Sequence, residues 1–247
     1  MTSALVILPT YNERENLESI VRRVLDADDR ISVLIVDDNS PDGTGDIADA
    51  LSAADERIEV LHRAGKLGLG TAYLKGFAVA IRRGFDYAFE FDADGSHPAD
   101  RLPACIDALD EGADLVIGAR WVPGGRTENW PLYRQFISRG ASIYTRLVLR
   151  SKLHDLTAGF RGYRTEALGE VDLHAVRSAG YCFQIETAWL FERRGYRVVE
   201  LPITFVEREL GASKMSTGIV VEALWRTTAW GVGARLADIR RLATGRM

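Results

Sequence analysis

Apolar residues in this chain come in short unbroken runs, each closed by polar or acidic residues and followed by a segment with helical spacing. Leu5-Val6-Ile7-Leu8 ends in Pro9-Thr10-Tyr11-Asn12-Glu13, Val33-Leu34-Ile35-Val36 in Asp37-Asp38-Asn39-Ser40, and Tyr87-Ala88-Phe89-Glu90-Phe91 in Asp92-Ala93-Asp94. Runs that stay apolar instead of alternating read as parallel strands covered on both faces. After the first, Leu17, Ile20, Val21, Val24 and Leu25 fall on one helical face, and Asn12 with Glu15 has the spacing of a capping box. Gly43 permits the next turn, and Ile47, Ala50 and Leu51 mark a short helix before a strand near Ile58-Glu59-Val60-Leu61. This alternation predicts an α/β fold, a mostly parallel sheet flanked by helices, with the strand carboxyl ends on one rim. In open sheets that rim binds ligands where strand order reverses. Tyr11, Glu13, Asp37, Asp38, Asp92 and Asp94 are therefore expected in a common crevice.

Gly65-Lys66-Leu67-Gly68-Leu69-Gly70 precedes a helix with Leu74, Phe77, Ala78 and Ile81 on its apolar side. A dinucleotide fingerprint would need its third glycine at Tyr73, so the segment reads as a close turn and helix start facing the crevice. Lys66 is then either solvated or near phosphate. A helix from Ala99 to Asp110 and the strand Asp114-Leu115-Val116-Ile117-Gly118 follow, the latter ending in Ala119-Arg120. Trp121 to Trp130, with Pro123, Gly124 and Gly125, has no apolar period and is expected as a mobile loop over the crevice. In the helix Leu132 to Leu149, Tyr133, Phe136, Ile137, Tyr144, Leu147 and Val148 form the apolar side, while Arg134 and Ser138 project together from another. Thr157 to Tyr163 reads as a turn and strand, and Phe183 to Glu192 as a helix in which Glu186 either faces the crevice or caps packing. Arg197 to Val206 is a last strand, with Pro202 favouring an edge or bulge, before the polar loop Glu207 to Lys214.

Asp92-Ala93-Asp94 is the pattern richest in chemistry. Side chains two apart on extended backbone share a side, so both carboxylates can meet one hard cation and the phosphate it carries; the other reading is a solvated turn. At 247 residues, with 47% hydrophobic and 27% charged content, the chain is expected as one domain (1–217) with a terminal appendage (218–247). A net charge of −4 implies no nucleic-acid partner, yet from Arg120 to Lys152 seven basic residues face the single acid Glu128. That block fits either a local anion, phosphate or membrane surface, or a solvated helix face. The appendage interleaves Ile219, Leu224, Trp225, Trp230 and Leu236 with five arginines against two acids. It reads as an amphipathic helix in a membrane interface or on a membrane partner, in preference to one docked on the chain's own core. Cys105 and Cys182 lack disulfide or zinc spacing, the amino terminus lacks signal-peptide features, and no apolar run spans a bilayer, so a cytoplasmic, peripheral location is expected.

Together these motifs resemble the polyprenyl-phosphate (dolichyl-phosphate) mannose synthases of the inverting glycosyltransferases with the GT-A fold. The likeness covers about residues 4 to 216, through Pro9-Thr10-Tyr11-Asn12-Glu13, Val36-Asp37-Asp38, Asp92-Ala93-Asp94 with His97-Pro98, Pro131-Leu132-Tyr133-Arg134 with Ser138, and Phe205-Val206-Glu207-Arg208 with Ser213-Lys214. It implies transfer of mannose from GDP-mannose to a polyprenyl phosphate with inversion. Pro9, Tyr11, Glu13, Val36 and Asp38 would hold the nucleoside, and Asp92, Ala93 and Asp94 the sugar-diphosphate end. Arg120, Arg208 and Lys214 would contact its phosphates, and Arg134 and Ser138 the lipid phosphate. Asp94, Arg120, Arg134 and Arg208 would carry catalysis, and Asp94 with Ser96 would hold Mg²⁺ or Mn²⁺. Ser96 stands where the family commonly has glutamine, so a water between its hydroxyl and the ion is expected. Glu207 replaces the usual aspartate. The rival readings are a UDP-glucose-dependent enzyme on the same lipid and a non-catalytic nucleotide-sugar-binding subunit.

Overall fold

The computed structural model describes residues 2–172, 181–207 and 217–244. In chain order the elements are β1 (Ala4–Thr10), α1 (Leu17–Leu25), β2 (Ile31–Asp37), α2 (Thr44–Ala54), β3 (Ile58–His62), α3 (Leu69–Arg83) and β4 (Tyr87–Glu90). A single 3₁₀ turn (Ala99–Arg101) leads into α4 (Leu102–Asp110), then β5 (Leu115–Ala119), β6 (Arg126–Glu128), α5 (Leu132–Leu149) and β7 (Arg161–Arg164). The remainder is α6 (Thr165–Glu170), α7 (Tyr181–Arg193), β8 (Val198–Pro202), β9 (Thr204–Val206) and α8 (Thr217–Thr244).

The main sheet has the order β3-β2-β1-β4-β7-β5-β8, parallel except for β7, which runs antiparallel to both neighbours. Strand order reverses at β1, between β2 and β4, so the loops after these three strands open on one crevice, as the pattern predicts. The pleat sorts side chains between two cores. Val6 and Leu8 pack with α1 (Leu17, Val21, Val24) and α4 (Leu102, Ile106), whereas Leu5 and Ile7 pack with α3 (Tyr73, Phe77) and α7 (Phe183, Phe191). Pro202 sits in β8 at the sheet edge, where its missing N–H breaks no ladder.

Three expectations change. Asn12 does not cap α1: it adopts a left-handed backbone (φ 60°), and the helix begins later, after Asn16, whose amide donates to Glu13. The segment 121–130 is tied down rather than a free loop, because β6 pairs in parallel with β9 and Arg126 N–H donates to Ile203. The greatest change is in α5, whose expected apolar side divides: Tyr133, Phe136 and Leu147 face outward, whereas Tyr144 and Val148 meet α8. Phe136 is 74% exposed and Leu147 69%, with Leu132 and Tyr133 similar, while Ser142 and Thr145 are buried. Beside these, α5 packs on α8: Tyr144 and Thr228 share a hydrogen bond of 2.6 Å, Arg235 donates to Val148 O, and Gly231 lies against the same carbonyl.

Close helix–sheet contact depends on small residues. Gly76 of α3 lies directly over Ile7, and a Cβ there would fall 2.6 Å from Ile7 Cγ2. Gly76→Ala is expected to cost about 1–3 kcal/mol through overpacking, read as a lowered urea midpoint with unchanged m-value.

Candidate functional site

The loops after β1, β2, β4 and β5, with α5, α7 and α8, enclose a cavity of about 350 Å³. Pro9, Tyr11, Glu13, Asp38, Asp92, Ala93, Asp94, Arg120, Arg134 and Ser138 all line it. The acid pair and the α5 arginine therefore share one chamber. One end is polar, with Asp38, Lys66 and Tyr11; Lys66 Nζ lies 4.5 Å from the Tyr11 ring centre. The other is apolar, with Ile137 and Ala141 of α5 and Ala223 and Leu224 of α8.

The acids divide the work. Asp37 does not serve the crevice: buried, it accepts hydrogen bonds from Thr10 Oγ1 and from the amide and hydroxyl of Ser40, so it fastens the β2 loop to β1. Asp38 lies 2.8 Å from Arg63 Nε, and burial raises its pKa against the pull of Arg63. Asp92 accepts the Tyr73 hydroxyl at 3.0 Å, and its N–H donates to His97 Nδ1 at 3.0 Å. That bond places the ring proton on Nε2, which lies 3.6 Å from Asp92 Oδ2. Packed against Phe91, Phe160 and Phe205, His97 holds the acid loop at a fixed height. Asp94 accepts the Ser96 amide and hydroxyl at 3.1 and 2.6 Å.

Several predicted residues have other duties. Ser96 is buried and its hydroxyl proton goes to Asp94, so it orients that carboxylate instead of lining the cleft. Val36 is buried in β2 beside Pro9. Arg120 was expected as a cation for phosphate, but its amide, Nε and Nη2 all donate to Asp155 at 2.7–2.9 Å, and Nη2 also to Thr157. Burial opposes the charged Asp155 carboxylate, yet Arg120 prevails and holds its pKa below the usual range. The guanidinium is 5.6 Å from the ring centres of Trp121, Trp130 and Phe205, anchoring an aromatic wall. Arg134 lies 4.2 Å over Trp130 and its Nη1 donates to the Glu207 carboxylate. Arg208, Ser213 and Lys214 lie outside the described residues.

Glu186 is half-buried and does not line the cleft; Gln184 and Ile185 of α7 do. Behind Gln184 lies Glu90, fully buried, accepting Tyr163 Oη at 2.8 Å and Gln184 Nε2 at 2.6 Å. Burial raises its pKa to about 7 against the lowering influence of Arg161. Sequence reasoning missed Gln184 because its helix is apolar on most sides, and only its place beside Glu186 marked the spot.

Residues 5–172 match the model of the glycosyl transferase family 2. The polyprenol monophosphomannose synthase of Mycolicibacterium smegmatis is 53% identical over 96% of this chain and 89% of that protein. The undecaprenyl-phosphate mannosyltransferase of Micrococcus luteus is 51% identical over 96% of this chain and 97% of its own. A dolichol-phosphate mannosyltransferase of Pyrococcus furiosus is 37% identical, over 91% of this chain and 63% of that longer protein. Among solved structures, glucosyl-3-phosphoglycerate synthase of Mycobacterium tuberculosis with Mn²⁺, UDP and glucosyl-3-phosphoglycerate superposes with a TM-score of 0.64 at 19% identity, covering 95% of this chain and 80% of that one, a likeness of fold.

The Glu90 environment has a pH signature. The folded state holds its proton up to about pH 7 while an ordinary glutamate releases it near 4.5, so stability present at low pH is lost as pH rises through that window. Glu90→Gln should therefore gain on wild type as pH rises from 4.5 to about 7 and level off above, by at most about 1.4 kcal/mol per pH unit, measured by urea unfolding across the range.

Proposed function

The chain belongs to glycosyl transferase family 2, and on that premise we propose that it transfers mannose from GDP-mannose to a polyprenyl phosphate with inversion at the anomeric carbon. One observation carries the reading. Asp92 and Asp94 line the same cavity as Arg134 and Ser138, and the cavity runs from a polar end into the apolar junction of α5 and α8. A nucleotide fits the first end and an isoprenoid chain the second.

At the polar end Tyr11 and Lys66 would cover the base, and Asp38, on the same wall, would accept from its N–H donors. Among the described residues no group of three or more metal-binding side chains forms; Asp94, its carboxylate oriented by Ser96, would be the residue that holds a divalent cation at the diphosphate. When bound, that ion neutralises charge on the departing nucleoside diphosphate. Arg208 and Lys214 are assigned the same diphosphate on the strength of the motif alone. Arg134, stacked on Trp130 and steadied by Glu207, would present its guanidinium edge to the lipid phosphate beside Ser138. Arg120 serves the wall of the cleft through Asp155 instead of gripping phosphate.

A phosphate monoester is already a nucleophile at neutral pH, so alignment suffices and no base is required. One of its oxygens attacks the anomeric carbon as the bond from that carbon to the diphosphate breaks, the electron pair leaving on GDP. The single displacement inverts the centre.

The outward apolar face of α5, with Arg139, Arg146 and Arg150 exposed among Phe136, Ile143 and Leu147, would rest on the cytoplasmic membrane surface. Trp225 of α8 is 72% exposed next to the cavity-lining Leu224, in line with the same plane. No helix among the described residues is long and apolar enough to cross a membrane, so the contact would be peripheral, alone or on a membrane-embedded partner.

The activity is tested by radiolabel transfer, offering GDP-mannose and UDP-glucose with a short polyprenyl phosphate and Mg²⁺ or Mn²⁺. Label from GDP-mannose in the lipid is expected; label from UDP-glucose alone, or none, refutes the reading. Asp94→Ala should reduce transfer at least a thousandfold with an unchanged melting temperature. For the membrane contact, Phe136→Asp with Leu147→Asp should weaken sedimentation with anionic phosphatidylglycerol vesicles at least tenfold, each side chain contributing about 1.5–3 kcal/mol when buried. Equal sedimentation removes the proposed plane.

A further inference from the structure

Gln184 is 4% exposed and lines the cleft, yet its Oε1 has no hydrogen-bond partner among the described residues. A buried carbonyl left unpaired costs about 1–3 kcal/mol, so a ligand that supplies the missing donor recovers it. The amide's orientation is not arbitrary. Nε2 donates to Glu90 Oε2 at 2.6 Å, while Glu90 Oε1 is taken by the Tyr163 hydroxyl. Once Glu90 is ionised, above about pH 7, turning the amide over would set its oxygen against a carboxylate oxygen. Glu90 is fully buried in β4, so the donor side of Gln184 is committed to the protein, and Oε1 is the unpaired atom of a residue that lines the cleft.

An amide oxygen only accepts. Neither a diphosphate nor a lipid phosphate monoester offers it a proton, and the base belongs at the other end, by Asp38 and Tyr11. The group that must occupy the middle of the cleft, beside Asp92, is the transferred hexose, whose hydroxyls are donors. We infer that Gln184 Oε1 receives a hydrogen bond from one hydroxyl of the transferred sugar, making it a positioning and specificity residue with Glu90 as the group that fixes its orientation. This rests on the sugar-transfer reading above.

The test compares wild type, Gln184→Met and Gln184→Leu with GDP-mannose and its 2-, 3-, 4- and 6-deoxy analogues, using a short polyprenyl phosphate as acceptor. Both replacements keep apolar volume, and thermal melts identify any that is not folded. For wild type, one deoxy donor should lose about 10- to 100-fold in kcat/KM. The variants should show the same loss with GDP-mannose and no additional loss with that one donor, while the other deoxy donors stay penalised. Variants equal to wild type with every donor overturn the assignment, as does a uniform loss that no single deoxygenation absorbs. If wild type transfers none of these sugars, the sugar-transfer reading itself falls; active wild type without the coupling overturns the Gln184 assignment alone.

Discussion

The position of β1 between β2 and β4 is the constraint from which the rest of the molecule follows. Because all three strands run parallel, their carboxyl ends emerge on one edge, and because order reverses at β1, the loops there diverge and leave a gap. The protein then spends polar groups on holding that gap open in one shape. Asp37 ties two loops together through Thr10 and Ser40, and His97 props the Asp92 loop against an aromatic cluster. Asp155 clamps Arg120 at the end of β5. Removing one member of that last pair would leave a buried charge uncompensated, which typically costs about 3–5 kcal/mol, far more than a surface pair is worth.

A second constraint comes from α5. An amphipathic helix on a water-soluble domain turns its apolar stripe inward, yet here Ser142, Thr145 and Thr227 are buried while Phe136 and Leu147 face out. Such an inversion is unfavourable in water and favourable against lipid, where small and hydroxyl residues allow close helix packing. It also explains the cavity's apolar end, since the same two helices supply Ile137 and Leu224 there. In the proposed orientation, a lipid tail would meet the cleft at its Ile137 and Leu224 end.

Much of this was legible in the residues. Unbroken apolar runs ending in acids identified the parallel sheet and its ligand edge, because burial on both faces leaves no room for alternation. Ten residues named from the motifs line one cavity, Pro9, Tyr11 and Arg134 among them. What was not legible depends on contacts distant in sequence. The α5 spacing revealed an apolar stripe but not its direction, which is decided by how α5 packs on α8. Arg120 looked like a phosphate cation until the chain brought Asp155 back to it from 35 residues away. Asn12 carried the spacing of a cap, but a left-handed backbone there delays the helix to Asn16.

The arrangement around Glu90 shows why the two cleft-facing polar residues on α7 and the acid loop differ in kind. A carboxylate in place of Gln184 would lie in hydrogen-bond reach of Glu90, whose pKa burial already raises, and two carboxyls so close in a buried site cannot both ionise. A lysine there would pair with Glu90 and fill the place of the sugar. An amide avoids both outcomes: it neutralises nothing, keeps Asp92 and Asp94 as the charged groups facing the nucleotide, and still offers an acceptor. A reaction whose nucleophile arrives already ionised can dispense with a base at this position. The site is then free to use it for recognition.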